Sequence, residues 1–204
     1  GQNYPANVYL EGSDQPRGWF NLSSILATAL TGELPFKNLV THGFLTDEKG
    51  EKISKRQGKA IDPVEVCNKQ GADVLRWWCA SVDYQGDVPC SENLLKVAGE
   101  SYRSVRNTLR YLLSNLGDFD PNQSVELTGL HREFVVKVNA LAEHIVIGFN
   151  NQPVILSDYA QFDFSAVSAR VYKFCTKELS PIYLDTIKDT MYCDEAGSSD
   201  RVQA

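Results

Sequence analysis

Apolar and polar positions sort the first fifty residues into three short elements. Val8-Tyr9-Leu10 runs into Glu11, Gly12, Ser13, Asp14 and Gln15, an apolar run meeting a glycine turn, which reads as a strand and its exit. Ser13-Asp14 offers an N-cap, and an amphipathic helix is predicted from about Pro16 to Leu30, closed by Gly32 and Pro35. Asn38 to Phe44 reads as a second, glycine-bounded strand, and Thr46-Asp47-Glu48-Lys49-Gly50 as a hairpin tip. Strand, helix and strand in this order predict a crossover unit of a parallel sheet.

The pattern then becomes helical. Asp62-Pro63-Val64-Glu65 places an N-cap, a first-turn proline and an acidic N3 in sequence. That helix stops at Gly71, and a second, from Ala72 through Trp77, Trp78 and Cys79, ends before Gly86. Ser91 caps a long pattern reaching about Leu116, with Leu94, Leu95, Ala98, Tyr102, Val105, Leu109, Leu112 and Leu113 at helical spacing. Two more amphipathic segments run from about Leu127 to Asn150 and from Phe164 to Tyr192, the second with a break expected at Ser180-Pro181. The predicted organisation is an α/β half with a partial parallel sheet (residues 1–60), a helical connector (61–87), an all-α helical bundle (88–196) and a frayed tail (197–204).

Composition narrows the class. The 204 residues are 43% hydrophobic and 23% charged, an ordinary globular balance. No run approaches the roughly 18 apolar residues of a membrane helix, so the expectation is a cytoplasmic protein without a membrane partner. Five scattered cysteines, with no C-x-x-C pair, read as reduced structural thiols rather than as a disulfide framework or a zinc site. A net charge of −6 argues against non-specific nucleic-acid binding but leaves room for local basic patches. The opening Gly1-Gln2-Asn3 lacks an initiator methionine, and the expectation is a piece of something longer.

Three constellations carry chemistry. Lys52-Ile53-Ser54-Lys55-Arg56 puts two lysines three apart on a polar loop, with Lys49 and Lys59 nearby. A lysine ammonium is worth roughly 1–4 kcal/mol against a phosphate charge at 4 Å, so such a loop suits polyphosphate chemistry. The same charges equally describe a solvated hairpin end, partly neutralised by Glu48 and Glu51. At the strand exit, Glu11 can meet an amine or a ribose hydroxyl, and Asp14 and Gln15 can do the same or merely cap the helix, with capping the leading reading for Asp14. Trp19 either lines an apolar pocket or joins the core. Finally Arg103, Arg106 and Arg110 form one stripe on the long helix, either a solvated face paired to Glu100 or an RNA-facing surface. His131 and His144 read as ordinary surface or satisfied residues.

The ordered stretches Glu11-Gly12-Ser13-Asp14-Gln15-x-Arg17-Gly18-Trp19-Phe20, Thr41-His42-Gly43-Phe44, Lys52-Ile53-Ser54-Lys55 and Gly71-Ala72-Asp73-x-Leu75-Arg76 resemble the class I aminoacyl-tRNA synthetases. Asp14-Gln15-x-Arg17-Gly18-Trp19-Phe20 is similar to their isoleucine-specific members. The resemblance is strong from Val8 to about Asp120 and weaker from Phe174 to Tyr192. It implies a carboxyl-side piece of a Rossmann-like catalytic domain, a stem-contact connector and an anticodon-binding bundle, with ATP, magnesium, isoleucine and tRNA(Ile) as ligands. Glu11, Gly12, Asp14 and Gln15 would then meet the aminoacyl-adenylate, and Trp19 would wall the isoleucine pocket. His42, Gly43 and Phe44 would flank the adenine. Lys52, Ser54 and Lys55 would match the family's KMSKS loop and its ATP phosphates, and the arginine stripe would face tRNA.

Departures bound that expectation. Pro16 stands where the family commonly has histidine, Ile53 replaces methionine, and Arg56 replaces the loop's final serine. No HIGH motif and no editing domain are present, so the remainder of the same enzyme is an expected partner and the piece alone is expected to be inactive. A non-catalytic tRNA-binding module is the alternative. The family's metal-binding tail would lie beyond Ala204, so no zinc is expected. An exposed apolar sheet face, and self-association through it, are expected as well.

Overall fold

A computed structural model describes residues 4–53, 61–117, 119, 120, 122, 125–147 and 157–204. The chain divides into two units, one of residues 1–65 and 82–94, the other of residues 66–81 and 95–204.

In the first unit, β1 (Ala6–Gly12) and β2 (Phe36–His42) pair in parallel, Ala6 opposite Phe36 and Gly12 opposite His42. The helix α1 (Trp19–Thr31) crosses between them, as the strand–helix–strand order predicts. It is preceded by a 3-10 turn at Gln15–Arg17 and ends on Gly32, whose left-handed φ of 79° lets its N–H return to Thr28 O. A hairpin follows: β3 (Leu45–Thr46) bridges antiparallel to Lys52, and the Asp47 carboxylate accepts from the Lys49 and Glu51 amides inside the tip.

Across β3 runs β4 (Val88–Pro89), in parallel. The sequence reading split this region between a helical connector ending at residue 87 and a helical bundle beginning at 88. The pairing of β4 with β3 instead joins residues 82–94 to the sheet-bearing unit and leaves residues 66–81 with the helices. Much of the first unit's apolar surface is open: Val8, Leu10 and Leu39 on the strands and Leu22, Ile25, Leu26 and Leu30 on α1 are all exposed.

The second unit holds most of α2 (Pro63–Gln70), α3 (Ala72–Ser81) and most of α4 (Glu92–Ser114). Leu95, Ala98 and Val105 are the buried positions of α4, and Gly99 gives close room to Val74. Trp77 Nε1–H donates to Ser101 Oγ at 2.8 Å, tying α3 to α4. The helix α5 (Gly129–Ala142) widens into a π-helical turn over Glu143–Ile147; the expected end at Asn150 lies outside the described residues. Phe134, Phe174, Leu179, Tyr183, Leu184, Ile187 and Met191 form the main core.

Two expectations are corrected here. The last long segment does not break at Ser180-Pro181. The helix α6 (Phe164–Lys173) passes into a π-helical stretch, Phe174–Leu184, that carries Pro181 inside it, and the chain turns only at Ile187 before α7 (Lys188–Cys193). A widened turn relieves the crowding that a proline ring meets in an α-helix. Nor does the tail fray. Residues Ser199–Gln203 form α8, with Arg201 Nη1 donating to Met191 O at 2.7 Å and Tyr183 Oη donating to Ala204 O at 2.9 Å. A guanidinium satisfying two backbone carbonyls holds a terminus that composition alone would release.

Cys67, Cys79, Cys175 and Cys193 are free thiols. Burial pushes the Cys175 thiol up from its ordinary value, and the residue is only 4% exposed, whereas Cys193 is exposed. A maleimide should therefore label Cys193 in the folded chain and reach Cys175 only after denaturation, as peptide mass mapping would show.

Candidate nucleotide site at the strand exit

Parallel pairing sends β1 and β2 out at the same edge, so Glu11 and Gly12 lie beside Thr41 and His42. Ser13 N–H closes the exit by donating to His42 O at 2.9 Å. The His42 ring turns back on its own backbone, with Nδ1 2.8 Å from Gly43 O. A carbonyl only accepts, so Nδ1 carries the proton.

Asp14 stands at the start of the 3-10 turn. Its side chain makes no capping bond. Gln15 caps instead, its Oε1 accepting from the Trp19 amide at 3.0 Å. Longer by one methylene, the glutamine reaches past the 3-10 turn, folding over Gly18, where a Cβ would stand 2.9 Å from that same oxygen. The Asp14 carboxylate is left beside Gly12, on the exit.

Trp19 is not core. It is 45% exposed and stacks on Tyr9 at 4.4 Å between ring centroids, with planes 13° apart. Phe20, 3% exposed, takes the buried position next to it. Tyr9, Trp19, Phe20 and Phe36 together form an aromatic cluster that runs back from the helix start towards the beginning of β2.

Gly43 and Phe44 are gripped from the β4 side. Gly43 N–H donates to Tyr84 O at 2.9 Å, the Phe44 amide donates to Asp87 Oδ1 at 2.7 Å, and Val88 N–H returns to Phe44 O at 2.9 Å. Asp87 was missed by the sequence reading, and no local pattern marks it. Lys52 arrives through the hairpin: its bridge to Thr46 and the bond from Ile53 N–H to Leu45 O bring its ammonium to 3.4 Å from the Phe44 ring centroid. Phe44 Cε1 in turn lies 3.7 Å from where a Cβ on Gly12 would stand. Lys52 and the Gly12 turn, forty residues apart, are therefore brought to one place. Ser54, Lys55, Arg56 and Lys59 lie outside the described residues.

In the second unit Arg103, Arg106 and Arg110 are all exposed and fall within about 60° of one another at 100° per residue. Among the described residues none is ion-paired, to Glu100 or to any other acid. His131 is satisfied: Tyr183 Oη already donates to Ala204 O, so His131 Nδ1–H donates to that hydroxyl at 3.0 Å. Among the described residues no group of three or more His, Cys, Asp or Glu is placed to hold a metal ion.

Residues 1–91 match the family described as tRNA synthetases class I (I, L, M and V), and residues 154–204 match the anticodon-binding domain of tRNA ligase. The fold agrees with two solved structures at low identity. One is the ternary complex of LeuRS with tRNA and LeuAMS from Agrobacterium radiobacter K84 (TM-score 0.67, 17% identity, 98% of this chain and 24% of that one). The other is the methionyl-tRNA synthetase of Mycobacterium tuberculosis with methionyl-adenylate (TM-score 0.64, 20% identity, 98% of this chain and 38% of that one). The chain belongs to the class I tRNA synthetases. Within that class the relatives it matches are isoleucine–tRNA ligases. That of Desulforudis audaxviator is 44% identical over 97% of this chain, and that of Geobacillus thermodenitrificans 46% over 94%. The chain spans 21% and 20% of those two relatives' lengths. No described helix is long and apolar enough to cross a membrane.

Proposed function

We propose that the chain supplies the carboxyl-side wall of the ATP site and the RNA-binding helices of an isoleucine–tRNA ligase. The parent reaction joins isoleucine to ATP, releasing pyrophosphate, and passes the acyl group to the terminal ribose of tRNA(Ile). The observation that carries this reading is the Lys52 ammonium held beside the Gly12 exit of a parallel strand pair, where nucleotides bind in open α/β sheets.

In that setting Lys52, with Lys55, follows the charge that grows on the leaving pyrophosphate, and Ser54 contacts the same phosphates. Glu11, Asp14 and Gln15 orient the adenylate and its amine, with Gln15 free to donate through Nε2 while its Oε1 holds the helix. His42, Gly43 and Phe44 flank the adenine, and Trp19 offers its exposed ring to the isoleucine side chain. Magnesium enters as part of the ATP substrate. It keeps waters and phosphate oxygens as ligands and needs no closed protein cage. The reaction is one of positioning and charge stabilisation, so no cysteine or serine nucleophile is required.

The exposed apolar residues of β1, β2 and α1 suit burial by the rest of such an enzyme, and the unpaired arginine stripe suits tRNA phosphates, which give affinity without sequence readout. Grafted in place of the matching segment of the Geobacillus thermodenitrificans relative, the chain should support isoleucine-dependent pyrophosphate exchange. Lys52→Ala should lower that exchange about a hundredfold. Exchange indifferent to Lys52, with tRNA affinity lost on changing Arg103 and Arg106, would instead establish the tRNA-binding module. By itself the 204-residue chain should show no exchange.

A further inference from the structure

Lys52 rests on a ring, and that ring is itself held by a carboxylate. The Phe44 amide donates to Asp87 Oδ1 at 2.7 Å, and the Phe44 ring carries the Lys52 ammonium 3.4 Å from its centroid. Phe44 Cε1 stands against the Gly12 turn. Asp87 makes no ion pair with Lys52 among the described residues, so its influence on the lysine runs through the backbone of Phe44.

We infer that Asp87 is a positioning residue for the nucleotide site: by accepting the Phe44 amide proton it fixes the ring on which the Lys52 ammonium waits for a polyphosphate. This rests on the nucleotide reading above. A lysine with four free torsions spreads its charge through a wide volume. An exposed cation–ring contact is strong enough to bias that charge towards the strand exit and weak enough to surrender it to an arriving phosphate. A hydrogen bond from an amide to a carboxylate is short and charge-assisted, and so it suits the task of keeping the ring still. Gly43 N–H to Tyr84 O, one residue earlier, holds the same strand from the same side.

The test reads Lys52 directly, by NMR of the isotope-labelled 204-residue chain. Protons held over a ring face shift upfield, so the Lys52 ε-methylene signals should lie upfield of those of the other lysines. Phe44→Leu should abolish the shift. Asp87→Ala should also abolish it, and Asp87→Asn, which keeps an acceptor oxygen without the charge, should restore it. The amide spectrum of each variant reports folding; should Asp87→Ala unfold, Asp87→Glu replaces it, and its acceptor displaced by one methylene should diminish the shift. An unshifted Lys52 in the unaltered chain, or loss of the shift in Asp87→Asn, would overturn the inference. In the grafted enzyme described above, Asp87→Ala should lower isoleucine-dependent pyrophosphate exchange and Asp87→Asn should keep it. Exchange that falls with Lys52→Ala but ignores position 87 overturns the role of Asp87, and exchange that ignores Lys52 overturns the nucleotide reading.

Discussion

Gly43→Ala will cost about 3 kcal/mol or more and will be felt in the sheet-bearing unit. A Cβ at position 43 would stand 2.1 Å from Gly86 O, 2.3 Å from Gly86 C and 2.6 Å from Asp87 N. All three are backbone atoms, so no side chain can swing aside. Relief requires separating the segment before β3 from the segment before β4, which breaks the bonds from Gly43 to Tyr84 and from Phe44 to Asp87. Gly86→Ala is the control, because a Cβ there meets nothing within 4 Å. Hydrogen exchange should show residues 43–46 and 88–90 losing protection in Gly43→Ala and keeping it in Gly86→Ala. Equal protection in both variants would contradict the geometry. The glycine of the His42-Gly43-Phe44 stretch thus has a packing reason to be glycine.

Phe134→Ala will be as damaging in the helical unit, at about 3–5 kcal/mol. The ring is 3% exposed and stacks on Tyr183 at 4.6 Å between centroids. Tyr183 is the residue that ties the last residues down, accepting a hydrogen bond from His131 Nδ1–H and donating its own hydroxyl to Ala204 O. Removing the ring beneath it should lower the denaturant midpoint and strip amide protection from α8. Val136→Ala, on the same helix but 59% exposed, should stay within about 0.5 kcal/mol. Burial pushes the Tyr183 phenol up from its ordinary 10.0. The neutral form is the one that packs, so its contribution is complete below that ordinary value and disappears as pH rises through the raised one.

Much of this molecule can be read from residue order, and the rest fails for identifiable reasons. The parallel β1–β2 pair and its crossover helix follow from two glycine-bounded apolar runs around an amphipathic segment. Lys52 follows from charge on a loop, although only the Thr46 bridge shows that its ammonium turns inward to Phe44. β4 is invisible because two residues, one of them Pro89, carry no periodicity. Asp87 is invisible because its partner lies 43 positions away. Asp14 and Gln15 were a local ambiguity, since either side chain can cap a helix in principle, and the 3-10 turn decided it by setting the distance to be reached. The docked terminus depends on an arginine whose acceptors are backbone carbonyls, which have no sequence signature.

The polypeptide passes between its two units three times, because residues 66–81 belong to the helices while 82–94 return to the sheet. Neither unit can therefore be inherited, exchanged or cut free as one continuous stretch. A recombination event with a single junction anywhere between 66 and 94 would hand each parent's sheet a foreign strand or each parent's helices a foreign partner, which ties the histories of the two halves together.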